Sequence, residues 1–305
     1  MTDHISVMPD ECIEMLNIKE DGIYVDGTLG RGGHSKLILE RIPKGKLYVF
    51  DLDKDAIEES KRFLKDYDNV VYIHDNFMNM NKYVDQVDGI LLDLGVSSPQ
   101  FDRSERGFSY RFDGPLDMRM NQDDSLTAYE VVNNYSVEDL IRVFRDYGEE
   151  QFAGPIARNI VKARETKKIE TTLELVDLIK EALPKKVLAK KGHPAKQCFQ
   201  AIRIEVNHEL DSLKRFLENF DEILKVNGRV AIITFHSLED KLVKKCFRDL
   251  SIVEVDKNIA LRPEDVKEAP YRLISRKAIL ASEDEIAKNN RAKSAKLRGV
   301  EKIYG

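Results

Sequence analysis

Between Ile23 and Asp93 the chain alternates between two hydrophobic periodicities, and that alternation leaves few folds open. Ile23-Tyr-Val-Asp26, Lys46-Leu-Tyr-Val-Phe-Asp51, Val70-Val-Tyr-Ile73 and Gly89-Ile-Leu-Leu-Asp93 are short β-rich runs, the last apolar enough for burial on both faces. From about His34 to Ile42, the residues Leu37, Ile38 and Ile42 fall at helical spacing. Ile57, Phe63 and Leu64 mark one face of a second helix over Lys54–Asp66. Strand, helix, strand, helix at this pitch predicts an α/β fold with a parallel sheet and right-handed crossovers.

After Gln100 the pattern changes. Residues 101–124 are rich in Gly, Asp and Arg with interspersed aromatics, and read as a long loop. Residues 125–205 are helical in pattern. Ser136 with Asp139, and Thr171 with Glu174, have capping-box spacing. Pro184 ends one helix and Pro194 opens the next, which carries Phe199, Ile202, Val206, Leu210 and Leu213 on one stripe. A strand signal returns at Gly228-Arg-Val-Ala-Ile-Ile-Thr-Phe235, and 251–256 and 271–280 supply two more strand-like runs. The expected organisation is an α/β domain over 1–105 and 206–305, interrupted by an inserted helical domain over 106–205. The tail from Lys288 to Gly305 is basic and polar, with little to pack.

A chain of 305 residues, 42% hydrophobic and 34% charged, is expected to be globular with a highly charged surface. Its net charge of -5 confines any nucleic-acid surface to a local patch. The N-terminal segment has early acids and no long apolar core, and no run approaches the roughly 20 apolar residues of a membrane helix. A cytoplasmic protein without membrane association is expected. Cys12, Cys198 and Cys246 lie far apart with no metal-ligand spacing, so inert free thiols and no metal are expected.

The most informative segment is Asp26-Gly-Thr-Leu-Gly-Arg-Gly-Gly-His-Ser35, where the first strand turns into the first helix. Four glycines within 27–33 are more than a tight turn needs, and they let backbone approach a ligand closely. The dinucleotide spacing G-x-G-x-x-G fails in both registers, because Leu29 and Ser35 occupy required glycine positions. A nicotinamide-dependent dehydrogenase is therefore disfavoured. Asp26 and Gly30 suit a ligand with an amino-acid end, the carboxylate near an ammonium and N–H groups near a carboxyl. This is the pattern of the large methyltransferase superfamily built on such a sheet. Asp53, ending Phe50-Asp-Leu-Asp53, is placed to accept from both hydroxyls of a ribose, or to cap the following helix. Phe77, in His74-Asp-Asn-Phe77, is placed to cover an adenine face or to pack in the core.

The fourth strand ends in Leu92-Asp-Leu-Gly-Val-Ser-Ser-Pro-Gln100, on the sheet edge where open α/β folds bind ligands. Its Ser-Pro step is similar to the polar-Pro motif of enzymes that methylate exocyclic amino groups. Such a nitrogen is a weak nucleophile that becomes transiently cationic, so acceptors aimed at its N–H bonds, with in-line positioning, suffice without metal or strong base. Asp93, Ser97, Ser98 and the backbone at Pro99 are the candidate acceptors, with turn chemistry the competing reading for the serines. Phe101, Phe108, Tyr110 and Phe112 follow directly, to stack on an extruded base or to pack the inserted domain.

Together with Arg106-Gly-Phe-Ser-Tyr-Arg-Phe-Asp-Gly-Pro-Leu-Asp-Met-Arg-Met120, Phe199-Gln-Ala-Ile-Arg-Ile-Glu-Val-Asn-His-Glu-Leu210 and Phe235-His-Ser-Leu-Glu-Asp240, these blocks resemble the bacterial ribosomal RNA small-subunit methyltransferase H family. The resemblance runs from about His4 to Arg298, in family order. It implies a Rossmann-like class I methyltransferase sheet with an inserted α-helical domain, and S-adenosylmethionine as cofactor. It also implies methylation of the exocyclic N4 of a decoding-region cytidine in 16S rRNA, with the small ribosomal subunit as partner; a homodimer stays open. Carried over by position, the cofactor contacts fall on Gly32, Gly33, His34, Asp53, Phe77, Asp93 and Gln100. The tail departs at Asn289-Asn-Arg-Ala-Lys-Ser294, where the family usually has a proline after the first Asn.

An RNA substrate leaves an electrostatic trace. Residues 184–204 carry six Lys or Arg, among them Lys190, Lys191, Lys196 and Arg203, and no acid. Residues 286–303 carry six against one acid, Glu301. Phosphate contacts are expected there, and Arg106, Arg111 and Arg119 are candidates to grip RNA near the target or to pair with Asp113 and Asp117. His236 is a candidate substrate residue, with helix capping as the competing role. The alternative function is methylation of another RNA or of a small-molecule amino group, for which a basic insertion has no use.

Overall fold

This computed structural model describes residues 6–253 and 268–304. The chain divides into two compact units, Met1–Gly95 with Leu210–Gly305, and Val96–Glu209.

Among the described residues the first unit is built on an eight-stranded sheet of β1 (Ile23–Asp26), β2 (Lys46–Asp51), β3 (Val70–His74), β4 (Val87–Asp93), β5 (Leu224–Thr234), β6 (Tyr271–Leu273), β7 (Ile279–Leu280) and β8 (Lys296–Lys302). Their order is β3-β2-β1-β4-β5-β8-β6, with β7 also on β8. The first five pair in parallel, and β8 runs antiparallel to its neighbours. The strand order reverses between β1 and β4, the switch point at which such sheets bind ligands beyond their carboxyl ends. Along β4 the side chains alternate between two cores. Leu91 joins Val49, Ala231 and Ile233 on one face, while Ile90 and Leu92 join Val25, Phe50 and Ile232 on the other. That two-sided burial is why β4 reads as a continuous apolar run.

Three sequence expectations need correction here. The tail is not idle: Lys296–Lys302 is an interior strand, with Leu297 and Val300 fully buried. Its cations are spent on pairing, Arg298 Nε to Asp240 Oδ1 at 2.7 Å, Lys296 Nζ to Asp240 Oδ2 at 3.1 Å and Lys302 Nζ to Asp221 Oδ1 at 3.0 Å. The strand expected from Gly228 begins at Leu224, which pairs with Val87 across a register shift. The strand-like run 251–256 forms none over 251–253, and its remainder lies outside the described residues.

The second unit packs the helices Ala128–Asn134, Val137–Asp146, Ala153–Thr166, Thr172–Glu181 and Lys196–Asn207 about Leu140, Phe144, Ile156, Ile160, Ile179 and Ile202. Ser136 Oγ accepts from Asp139 N at 3.0 Å, and Thr171 with Glu174 makes both halves of a capping box. The stripe from Phe199 to Leu213 is not one helix. It breaks at His208 (φ 50°), and Leu210 and Leu213 ride on the next helix, Glu209–Asn219. The unit boundaries also move from the expected 105/106 and 205/206 to 95/96 and 209/210. Val96 packs with Phe108 and Leu116 in this unit's core. Asn207 binds the Met118 carbonyl (2.8 Å) and the Met120 N–H (2.7 Å), which ties the far boundary to the loop. Among the described residues no helix is long and apolar enough to cross a membrane.

Candidate active site

Asp26, at the carboxyl end of β1, is buried and committed to its own turn. Its Oδ1 accepts from Thr28 N at 3.1 Å and its Oδ2 from Ser35 Oγ at 2.6 Å. Burial pushes its pKa up, while the Ser35 hydroxyl, His34 and the Thr28 N–H pull the other way. Gly30 (φ 51°) and Gly32 (φ 80°) hold left-handed backbone that a side chain would strain. Gly30 is fixed at both ends, its N–H on Asp51 Oδ2 and its carbonyl under Ser60 Oγ, each at 2.8 Å. Gly33 then opens the helix Gly33–Leu39, whose first turn buries His34 and Ser35.

Of the two acids after β2, Asp53 caps the next helix, accepting from Asp55 N at 3.1 Å. Asp51, passed over in favour of Asp53 on sequence, faces the glycine turn. It accepts from Asp53 N and Gly30 N, both at 2.8 Å, and burial pushes its carboxyl up to about 7.

Asp93 ends β4 beside these groups. Its N–H donates to Thr28 Oγ1 at 2.6 Å. His34 Nε2 lies 2.9 Å from the Val7 carbonyl, which only accepts, so Nε2 carries the proton and Nδ1 faces Asp93 Oδ2 at 3.8 Å. The other carboxylate oxygen, Oδ1, is buried and has no hydrogen-bond partner among the described residues. Desolvation raises the Asp93 pKa, against His34 and Arg291, which lower it. A buried acceptor with nothing to accept from fits a ligand that brings N–H or O–H donors. Phe77 is half-buried and meets Phe216 edge-on at 5.9 Å, so packing accounts for part of its surface.

The turn, Asp51, His34, Phe77 and Asp93 therefore belong to one edge of the first unit. Gln100 and the Ser97–Pro99 step belong to the second. There Gln100 is buried and its Oε1 accepts from Ser97 N at 3.0 Å. Ser98 and Pro99 open the helix Ser98–Asp102, and their side chains lie outside the described atoms.

The arginines of the following loop divide. Arg106 is buried, donating to the carbonyls of Arg119 and Met120 at 3.0 and 3.2 Å. Arg119 pairs with Asp117 at 2.7 Å and also holds the carbonyls of Gln122 and Asp124. Arg111 is exposed, as are Lys190, Lys191 and Lys196, whereas Arg203 makes a two-point pair with Glu209. Phe108 is buried, Phe101 and Tyr110 pack on the core, and Phe112 is 56% exposed. In the first unit, His236 caps the helix Ser237–Leu250, its Nε2 3.0 Å from Glu239 Oε1. Thr28, Ser35, Asp51 and Ser60 were missed on sequence. Thr28 and Ser35 sit inside the glycine block, and hydroxyls at a turn are the signal that marks them.

A family model described as the MraW methylase family matches residues 1–303. The chain belongs to the MraW methylase family. This is the small-subunit ribosomal RNA methyltransferase H family that the motifs resemble, and the protein is an S-adenosylmethionine-dependent methyltransferase of that rRNA-methylating family. Among solved structures it is similar to an rRNA methylase from Streptococcus thermophilus, at 14% identity over 97% of this chain and 93% of that one, with a TM-score of 0.39. A Streptococcus mutans protein assigned as a methyltransferase, in complex with SAH, matches at 14% identity over 98% and 99%, with a TM-score of 0.42. A SAM-dependent O-methyltransferase from Thermotoga maritima matches at 10% identity over 99% and 68%, with a TM-score of 0.41. Family membership rests on the sequence match alone.

Proposed function

We propose that this enzyme transfers the methyl group of S-adenosylmethionine to the exocyclic N4 of one cytidine in the decoding region of 16S rRNA, acting on the small ribosomal subunit. The observation that carries the reading is the buried Oδ1 of Asp93 at the switch point of the sheet, without a partner among the described residues. An acceptor-only oxygen there suits N–H donors, and both the amino-acid end of the cofactor and an exocyclic amine are N–H donors.

Asp26, Gly30, Gly32, Gly33, His34, Asp53, Phe77, Asp93 and Gln100 are the proposed cofactor contacts, Asp26 acting by shaping the turn because both its oxygens are taken. Asp51 joins this set. When bound, the cofactor supplies an electrophilic methyl group. The chain supplies placement and acceptors: Thr28 fixes the backbone of Asp93, and the Asp93 carboxylate stabilises positive charge growing on the attacking nitrogen. Ser97, Ser98 and the backbone at Pro99 are proposed as further catalytic groups. Arg111, Lys190, Lys191 and Lys196 are exposed and proposed for phosphate contact. Arg106 and Arg119 brace the loop that carries Arg111.

Asp93→Asn tests the assignment. It keeps the size of the side chain and should lower turnover by on the order of 100-fold, by analogy with loss of one preorganised charge-stabilising group. Unchanged turnover in a variant with wild-type melting behaviour would remove Asp93 from the chemistry.

A further inference from the structure

Phe199, Tyr110 and His193 form a column of rings that runs from the core of the second unit to its surface. Phe199 is buried. Tyr110 meets it edge-on, with centroids 5.8 Å apart at 87°. His193 lies flat on Tyr110, with centroids 4.4 Å apart and 19° between the planes. Tyr110 and His193 are both half-buried. The imidazole is also fixed in its plane. Its Nδ1 accepts from Ala195 N at 3.2 Å, so in the neutral ring the proton sits on Nε2.

Cations lie close to this column. The Arg111 guanidinium lies 5.9 Å from the Tyr110 centroid. Burial, with Lys180 and Arg111 nearby, holds the His193 pKa below its ordinary value and keeps the ring neutral. Lys185, Lys186, Lys190, Lys191 and Lys196, on the chain to either side, are all exposed, and no acid occurs over residues 184–204.

We propose that His193, backed by Tyr110, is a stacking platform for an unpaired nucleobase of the substrate RNA, with the surrounding lysines and Arg111 taking the flanking phosphates. The inference rests on the reading that RNA is the substrate. A flat neutral ring with a second ring behind it and a cationic rim is the means by which proteins hold single strands, since every base has a face to stack. A duplex keeps its base faces covered and offers this platform only phosphates.

The experiment compares binding of an unstructured oligoribonucleotide and of a fully paired hairpin to the full-length protein, in wild type, His193→Ala and His193→Tyr. His193→Ala is expected to weaken single-strand binding on the order of tenfold, the loss of one stacked base. His193→Tyr should restore it, and hairpin binding and S-adenosylmethionine affinity should stay near wild type in both. Equal losses on strand and hairpin, or no rescue by Tyr at unchanged cofactor affinity, would overturn the proposal. So would a loss seen with ribosomal subunits and with neither RNA, which would give the platform to a protein component. As a second variant away from packed residues, Lys190→Gln should reduce the slope of log affinity against log salt by about 1, and an unchanged slope contradicts the phosphate contact. Because the readout is binding, transfer of methyl to a nucleoside other than cytidine would sink the N4 assignment and leave the His193 result standing.

Discussion

Asp93 is held through its backbone N–H, while its carboxylate Oδ1 is buried with no partner among the described residues. Its hold depends on Thr28, so Thr28→Val should leave the Asp93 N–H without an acceptor and cost about 1–3 kcal/mol in denaturant unfolding, with Thr28→Ser close to wild type. Equal stability of the two variants would contradict the bond. Asp51 gives a pH prediction. Its carboxyl is pushed from an ordinary value of about 4 up to about 7 in the folded protein. Across that window the folded state keeps a proton that the unfolded chain has lost, so stability falls as pH rises from about 4 to about 7 and then levels off. Asp26 and Asp93 are shifted the same way. Asp51→Asn should therefore flatten, without abolishing, the fall in melting temperature of the cofactor-free enzyme over that window, and an unchanged slope would contradict it. At this scale the sequence shows which residue types gather but not their partners. Asp51 ends β2 and Asp53 follows two residues later, and only the fold shows that one meets Gly30 while the other caps a helix.

Strands β1, β2 and β4 and the glycine turn were legible because each is a local signal, a β-rich run ending in glycine or acid. The strand β8 was not. Its alternation is broken by Gly299, where a side chain would run into Met15, and its cations are neutralised by Asp240 and Asp221, which lie far away in sequence. Because β5, β6 and β7 all pair with β8, deleting residues 296–305 should leave three strands without that partner. Circular dichroism should then show loss of structure, with loss of S-adenosylmethionine binding, and a folded, cofactor-binding truncation would contradict the sheet order. In the inserted helices Thr171→Ala should cost about 1 kcal/mol, since it removes half of a capping box. No comparable signal announced His208, a non-glycine residue in left-handed backbone that divides what reads as one helical stripe.

Across the chain, the interruption of a parallel sheet by helices after its fourth strand could be read from periodicity alone. The boundaries could not, because Val96 and Asn207 are assigned by what they touch. The family blocks fall on the turn, on the end of β4, and on the loop braced by Arg106 and Asn207. The measurement to make is transfer of labelled methyl from S-adenosylmethionine to small ribosomal subunits from a strain lacking the enzyme, followed by nucleoside analysis. A single N4-methylated cytidine in the decoding region is the predicted product. Label in any other nucleoside, or none on subunits with cofactor binding intact, would contradict it.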